Sequence, residues 1–100
     1  MIRHIVMFKL KKAQPEESLG EIKNEIKLKL ESLPAKIDVI RSMEVGINVV
    51  TSDRAFDLVL VSSFDSLDDL EAYRVHPAHQ EVVSYIGGVR DQSAAVDFIY

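Results

Sequence analysis

The chain contains no cysteine in its 100 residues, so no disulfide framework holds it, and it fits a reducing cytosol. It also lacks any apolar run near the ~20 residues that a membrane-spanning helix needs. Lys and Arg number 12 against 16 acidic residues and are interspersed with them, leaving a net charge of −4. That pattern offers no basic patch for nucleic acid. No signal-peptide pattern opens the chain, because Met1-Ile-Arg-His runs straight into an alternating segment. Ser62, Ser63 and Ser84 sit in no elbow or triad spacing, which removes serine nucleophiles. What remains is a chain of ordinary hydrophobic content, 47%, expected to form one cytoplasmic domain over residues 1–100 without membrane or nucleic-acid partners.

What is present is strongly periodic. Ile2–Leu10 alternates, with Ile2, His4, Val6, Phe8 and Leu10 on one face and Arg3, Ile5, Met7 and Lys9 on the other. The second face is apolar at its centre, so both sides of this strand ask for cover. Lys11–Gln14 is a polar connection, and Pro15 opens a helix where its missing donor costs nothing. Glu16 and Glu17 suit the first turn of that helix. Leu19, Ile22, Ile26, Leu30 and Leu33 form its apolar stripe, Glu25 and Lys29 a surface pair, and Pro34 its end. From Ile37 the pattern turns extended, with Met43, Val45, Ile47 and Val49 on one face and Gly46 on the other. Val50–Ala55 reads as a loop and Phe56–Phe64 as a strand, with Phe56, Leu58, Leu60 and Phe64 opposite Val59 and Val61. Ala94–Tyr100 alternates as a last strand.

The segment around which these elements are organised is Leu70–Ile86, where two histidines, two tyrosines and a proline interrupt an amphipathic helical run. Proline removes a backbone donor and clashes one turn back, and it pushes His76 away from helical geometry. The spacing therefore predicts two helical pieces broken at Val75–Pro77, with Pro77 first in the second piece. Ser66 caps the first piece, with Asp69 three residues on, and Gly87-Gly88 stops the second in a left-handed turn.

Strand, helix, strand, strand, helix, strand predicts an α+β fold: a ferredoxin-like βαββαβ subunit with an antiparallel four-stranded sheet. Two helices cover one sheet face only. The other, carrying Ile5, Met7, Val59 and Val61 or the opposite parity, is too apolar for water. Face-to-face pairing with two-fold symmetry predicts a homodimer.

Arg3-His4-Ile5-Val6-Met7-Phe8-Lys9, Val45-Gly46-Ile47-Asn48, Phe56-Asp57-Leu58-Val59-Leu60 with Phe64, and Ala72-Tyr73 followed by His76-Pro77-Ala78-His79 resemble the stress-responsive A/B barrel family, also called the dimeric α+β barrel family. The resemblance runs along the whole chain in order. It implies a homodimeric barrel. The family holds stress-induced proteins, bacterial members of unknown role and a plant polyketide cyclase that works without a cofactor through a tyrosine and a histidine. That pair matches Tyr73 and His79 here, and a further pocket histidine matches His4. Where the cyclase has pocket aromatics, this sequence reads Ile22, Ile26 and Arg90.

Tyr73 and His79 are thus the candidate catalytic residues. A near-neutral imidazole can take a proton from an activated carbon acid, and a phenol can donate to the oxygen that gains charge. Each also has a structural reading: His76 and His79 satisfying backbone groups freed by Pro77, and Tyr73 packing with its hydroxyl at a rim. His4, Val6, Phe8, Leu58, Leu60 and His76 are the candidate substrate-binding residues, with His4 alternatively hydrogen-bonded across the sheet. His76-x-x-His79 has no evident third ligand, so no metal is expected. No cofactor is expected either. Three functions follow: a cofactor-independent lyase or cyclase on a small, enolisable, apolar substrate; a non-catalytic, stress-related or ligand-binding dimer; and a cofactor-free monooxygenase.

Overall fold

A computed structural model describes residues 1–12 and 15–100, and for Glu16 and Glu17 the backbone alone. The expected polar connection Lys11–Gln14 therefore lies partly outside the described residues, as do the side chains of Glu16 and Glu17. The elements are β1 (Ile2–Leu10), α1 (Glu16–Glu31), a short 3₁₀ turn (Leu33–Ala35), β2 (Ser42–Ile47), β3 (Leu58–Phe64), α2 (Leu67–Arg74), α3 (Pro77–Val89) and β4 (Arg90–Ile99). The sheet order is β2-β3-β1-β4, with every neighbouring pair antiparallel. This is the expected ferredoxin-like subunit.

The helix stripe does what its spacing requires. Ile26, Leu30 and Leu33 are buried against Val45, Leu58, Leu60, Phe64 and the β1 residues Ile2, Phe8 and Leu10. Leu19 and Ile22 pack at the margin of this core. Two polar side chains of α1 tie it to the sheet edge. Glu31 Oε2 accepts the Val45 amide at 3.0 Å, and Lys27 Nζ donates to the Val45 carbonyl at 2.6 Å. The Val45 amide holds the Glu31 carboxyl below its ordinary pKa, with Lys27 adding to the effect. An exposed strand edge is a template for unwanted pairing, and here the side chains of α1 occupy it at Val45.

The broken helix forms as its sequence dictates. Ser66 Oγ accepts the Asp69 amide at 3.1 Å, and Asp68 and Asp69 occupy the first turn of α2. The helix ends at Arg74, and Pro77 begins α3.

Several sequence expectations change, among them the last strand, which spans Arg90–Ile99 rather than Ala94–Tyr100. The segment from Ile37 is not extended: Ile37 and Ile40 are buried in turns, and β2 begins only at Ser42 and ends at Ile47. Val49 is consequently exposed. β3 starts at Leu58 rather than Phe56, because the Asp57 amide bonds the Phe8 carbonyl and its carboxylate accepts the Leu10 amide. Most notably, Gly87-Gly88 does not end α3. Both residues are helical, neither has positive φ, and the helix passes directly into β4, which begins at Arg90. The helix needs no left-handed turn there because the strand takes over at once.

β4 pairs with β1 alone, and every one of its residues is exposed. On the sheet face away from the helices it sets Val96 (54% exposed) beside Ile5 and Phe98 (44%) beside Arg3. The bare face is the one carrying Ile5, Met7, Val59 and Val61, since His4, Val6, Phe8, Leu58 and Leu60 turn toward the helices.

The glycine pair generates a prediction. A Cβ at Gly87 or Gly88 meets nothing within 4 Å, and both positions are exposed and helical. Gly87→Ala and Gly88→Ala should each raise stability by roughly 0.5–1 kcal/mol, read as an increased urea midpoint at unchanged slope. A loss of stability on either substitution would show that a left-handed conformation is needed after all.

Candidate active site

The break between α2 and α3 is where the site begins. In a continuous helix the Arg74 carbonyl would accept the Ala78 amide. Here the Ala78 amide instead donates to His76 Nδ1 at 3.0 Å, so His76 caps α3 with its own ring. The freed Arg74 carbonyl takes two side-chain donors, His79 at 2.9 Å and Gln80 Nε2 at 2.7 Å. A carbonyl can only accept, so His79 Nδ1 carries the proton in this contact and the neutral ring keeps its lone pair on Nε2. Burial pushes the His79 pKa below its ordinary 6.5, against the opposing pull of the Arg74 carbonyl. A neutral, tautomerically defined imidazole results.

Tyr73, in the last turn of α2, lies against that ring, with centroids 4.3 Å apart and planes tilted by 44°. It also packs on Phe64 at 5.0 Å and meets His4 edge-on at 6.2 Å. Tyr73 is 1% exposed, and its hydroxyl is buried with no hydrogen-bond partner among the described residues. Desolvation pushes its pKa well above the usual phenol range, so it is a neutral donor. A buried polar group is normally satisfied, because leaving it alone costs about 1–3 kcal/mol. The orphaned hydroxyl belongs to a residue that lines a cavity, and it is a donor that lacks an acceptor.

The cavity is there. It measures about 320 Å³ and lies between the sheet and α2–α3, with Val6, Phe8, Leu30, Leu60, Val82 and Ile86 among its apolar walls. His4, Tyr73 and His79 supply polar groups, and Arg74, Arg90, Ser93 and Asp97 also border it. His4 sits opposite Asp97 in the β1–β4 register, and the Asp97 carboxylate bonds His4 Nδ1. That is the cross-sheet partner expected for His4.

Of the eight sequence candidates, His4, Val6, Phe8, Leu60, Tyr73 and His79 meet at this one cavity. Two do not line it. Leu58 is buried in the packed core, one register step along β3. His76 is spent on the α3 cap, which is the structural role that Pro77 creates for it. Asp97 was the residue missed. Its parity in β4 matches Ala95 and Ile99, and only the register with β1 reveals that it faces a histidine. Among the described residues no cluster of three or more His, Cys, Asp or Glu is arranged to hold a metal ion. No helix among them is long and apolar enough to cross a membrane.

A model of the stress responsive A/B barrel domain matches residues 2–100. A dimeric protein of unknown function with a ferredoxin-like fold from Bacteroides fragilis shares 37% identity over 99% of this chain and 95% of its own, with a TM-score of 0.90. A dimeric ferredoxin-like protein of unknown function from Thermobifida fusca shares 24% over 99% and 90%, with a TM-score of 0.80. The hydroxynitrile lyase of Passiflora edulis has the same fold at 18% identity, covering 99% and 92%, with a TM-score of 0.82. Among curated proteins there is no match.

Two predictions come from the buried pair. Tyr73→Phe removes an unsatisfied hydroxyl while keeping the ring, so it should raise stability by about 1 kcal/mol, measured by chemical denaturation. An appreciable loss would mean that the hydroxyl has a partner in solution. For His79 the folded pKa lies below the unfolded one, so its neutral form belongs to the folded state. Its contribution is complete above the ordinary 6.5 and is lost as pH falls through the lowered value. His79→Gln should flatten the fall in stability on acidification, and equal slopes for the two proteins would exclude this linkage.

Proposed function

The chain belongs to the stress-responsive A/B barrel domain family, and on the chemistry of its cavity we propose that it is a cofactor-independent lyase or cyclase acting on a small, enolisable, largely apolar substrate. The observation that carries this reading is the buried, partnerless Tyr73 hydroxyl, on a ring that lies against an imidazole whose Nδ1 is already committed. Neutral His79 accepts a proton at Nε2 from a carbon next to a carbonyl, and the C–H electron pair moves toward that carbonyl. The Tyr73 hydroxyl donates to the oxygen as it gains charge. The carbanion so formed attacks a second carbonyl of the same molecule or expels a leaving group, and His79 returns the proton. Apolar walls exclude water and strengthen both contacts. His4, oriented by Asp97, flanks the Tyr73 ring from the sheet side.

The working form is proposed to be a homodimer in the cytoplasm. Support comes from the apolar outer face of the sheet, where Val96 and Phe98 extend the patch begun by Ile5 and Met7, and from the relatives described as dimeric. The second reading, a dimer that binds apolar ligands without reaction, shares the same cavity. The lone Tyr73 donor beside a base favours the catalytic one, since a purely apolar ligand would leave that hydroxyl unsatisfied.

Two experiments test this. Sedimentation at micromolar concentration should give twice the chain mass, and a stable monomer would remove the proposed assembly. With a substrate found by screening β-dicarbonyl compounds and other enolisable ketones, His79→Ala should lower kcat by about 10²–10⁴ with little change in KM, and Tyr73→Phe by roughly 10²–10³. Activity that survives both substitutions would overturn the Tyr73–His79 assignment, and binding without any turnover by the wild type would leave the ligand-binding reading.

A further inference from the structure

The cavity has two polar ends, and the proposed chemistry uses only one. Register sets their separation. His4 faces Asp97, Val6 faces Ala95, Phe8 faces Ser93 and Leu10 faces Arg90 along the β1–β4 ladder. From Asp97 to Ser93 is four residues, or about 13 Å of strand at ~3.3 Å per residue. At the first end are His4, Tyr73 and His79. Between lie Val6 and Phe8, with Leu60 beside Val6 on β3 and Ile86 on α3. At the far end stand Ser93 and Arg90.

Arg90 is unlike the other arginine on the cavity. Arg74 is held by Glu71 through two contacts, at 2.7 and 2.8 Å, so its charge is already answered. Arg90 donates from Nη1 to Ser93 Oγ at 3.1 Å, and among the described residues no carboxylate pairs with it. The acid at the cavity, Asp97, belongs to His4 at the opposite end. A guanidinium has five donors in a planar fork, and four of these remain for a ligand. The Ser93 contact holds the side chain at the cavity rim, so the fork is oriented before a ligand arrives.

We propose that Arg90, positioned by Ser93, is a specificity residue that selects ligands carrying an oxyanion, a carboxylate above all, at the end of an apolar body remote from the reacting carbonyl. This rests on the reading of the cavity as a ligand site, and it adds the substrate class: an extended oxo acid rather than a neutral ketone. The carbonyl oxygen meets Tyr73, the chain or ring lies along Val6 and Phe8, and the carboxylate pairs with Arg90. The mixed composition is informative here. A neutral apolar substrate would call for no unpaired cation at the rim, whereas an anionic one needs a counter-charge to offset the desolvation of its headgroup.

The test is a binding titration that does not depend on turnover, using decanoate and methyl decanoate as probes against the full-length protein. Wild type should bind decanoate at least roughly tenfold more tightly than the ester, the size expected for a charge-assisted hydrogen bond. Arg90→Gln should erase that preference while leaving ester affinity unchanged, and Arg90→Lys should keep part of it. Added salt should weaken decanoate binding and spare the ester. Equal affinity for the two probes in wild type, or a preference that survives Arg90→Gln, would overturn the proposal. Failure here is distinguishable from failure of the catalytic reading, because Tyr73→Phe and His79→Ala leave the Arg90 end intact. If the acid preference holds while no substrate turns over, the anion site stands and the chemistry falls. If neither probe binds at all, the anion site is overturned, while the catalytic reading still stands or falls on its own substrate screen.

Discussion

The site depends on one backbone carbonyl. Arg74 O is released from the helical ladder because Pro77 begins a new helix and His76 turns its ring to cap the Ala78 amide. The carbonyl freed from the ladder finds two donors, His79 and Gln80. That single satisfaction fixes the imidazole's position and its tautomer together. Without the break, Tyr73 and His79, six residues apart, would project from rather different sides of one helix. With it their rings lie 4.3 Å apart. The structural and functional readings of His79 are therefore not rivals. Bonding the freed carbonyl is what leaves Nε2 available as a base.

The hydroxyl of Tyr73 shows the complementary expense. Its ring is among the largest fully buried side chains, packed on Phe64, and contributes strongly to the core. Its oxygen is left without a partner in the same place. A phenylalanine would fill this position with less penalty, so stability alone does not account for a tyrosine. The asymmetry points to an acceptor delivered from outside the chain. Burial acts on both groups in the direction that keeps them neutral, raising the phenol and lowering the imidazole. The proposed proton transfer needs neutral groups, because one must begin as donor and the other as acceptor.

The sheet divides the labour between its faces. The face toward α1–α3 holds the core at the β2–β3 side and the cavity toward β1 and β4, because the helices leave β4 uncovered. A cavity in a small domain is costly in lost contacts, and here it is bounded by the edge strand rather than sunk in the core. The outer face is apolar and open. At β2 the edge is closed by Lys27 and Glu31 on the Val45 backbone, so the two ends of the sheet are treated differently.

Much of this was legible in the residues alone, and for a definite reason. Alternation in Ile2–Leu10, the three-and-four spacing from Leu19 to Leu33, and the proline at 77 act over a few residues, so local sterics determine strand, helix and break. The placement of Tyr73, His79 and His4 near one another was expected from the resemblance of their surroundings to the family, and the three meet at one cavity. What the residues could not express was anything set by register or by exact partners. Asp97 is one polar position in an exposed strand until pairing sets it opposite His4, and Arg90 is one arginine until Ser93 and the cavity rim define its direction. Leu58 and His76 were drawn toward the cavity by proximity in sequence, but one register step and one cap bond take them out of it. Gly87 and Gly88 carried a stop signal that the following strand made unnecessary. Local chemistry decides which elements form. Contacts between residues more than ninety positions apart, such as His4 with Asp97, decide what the cavity can hold, because only the folded chain brings those side chains within bonding distance.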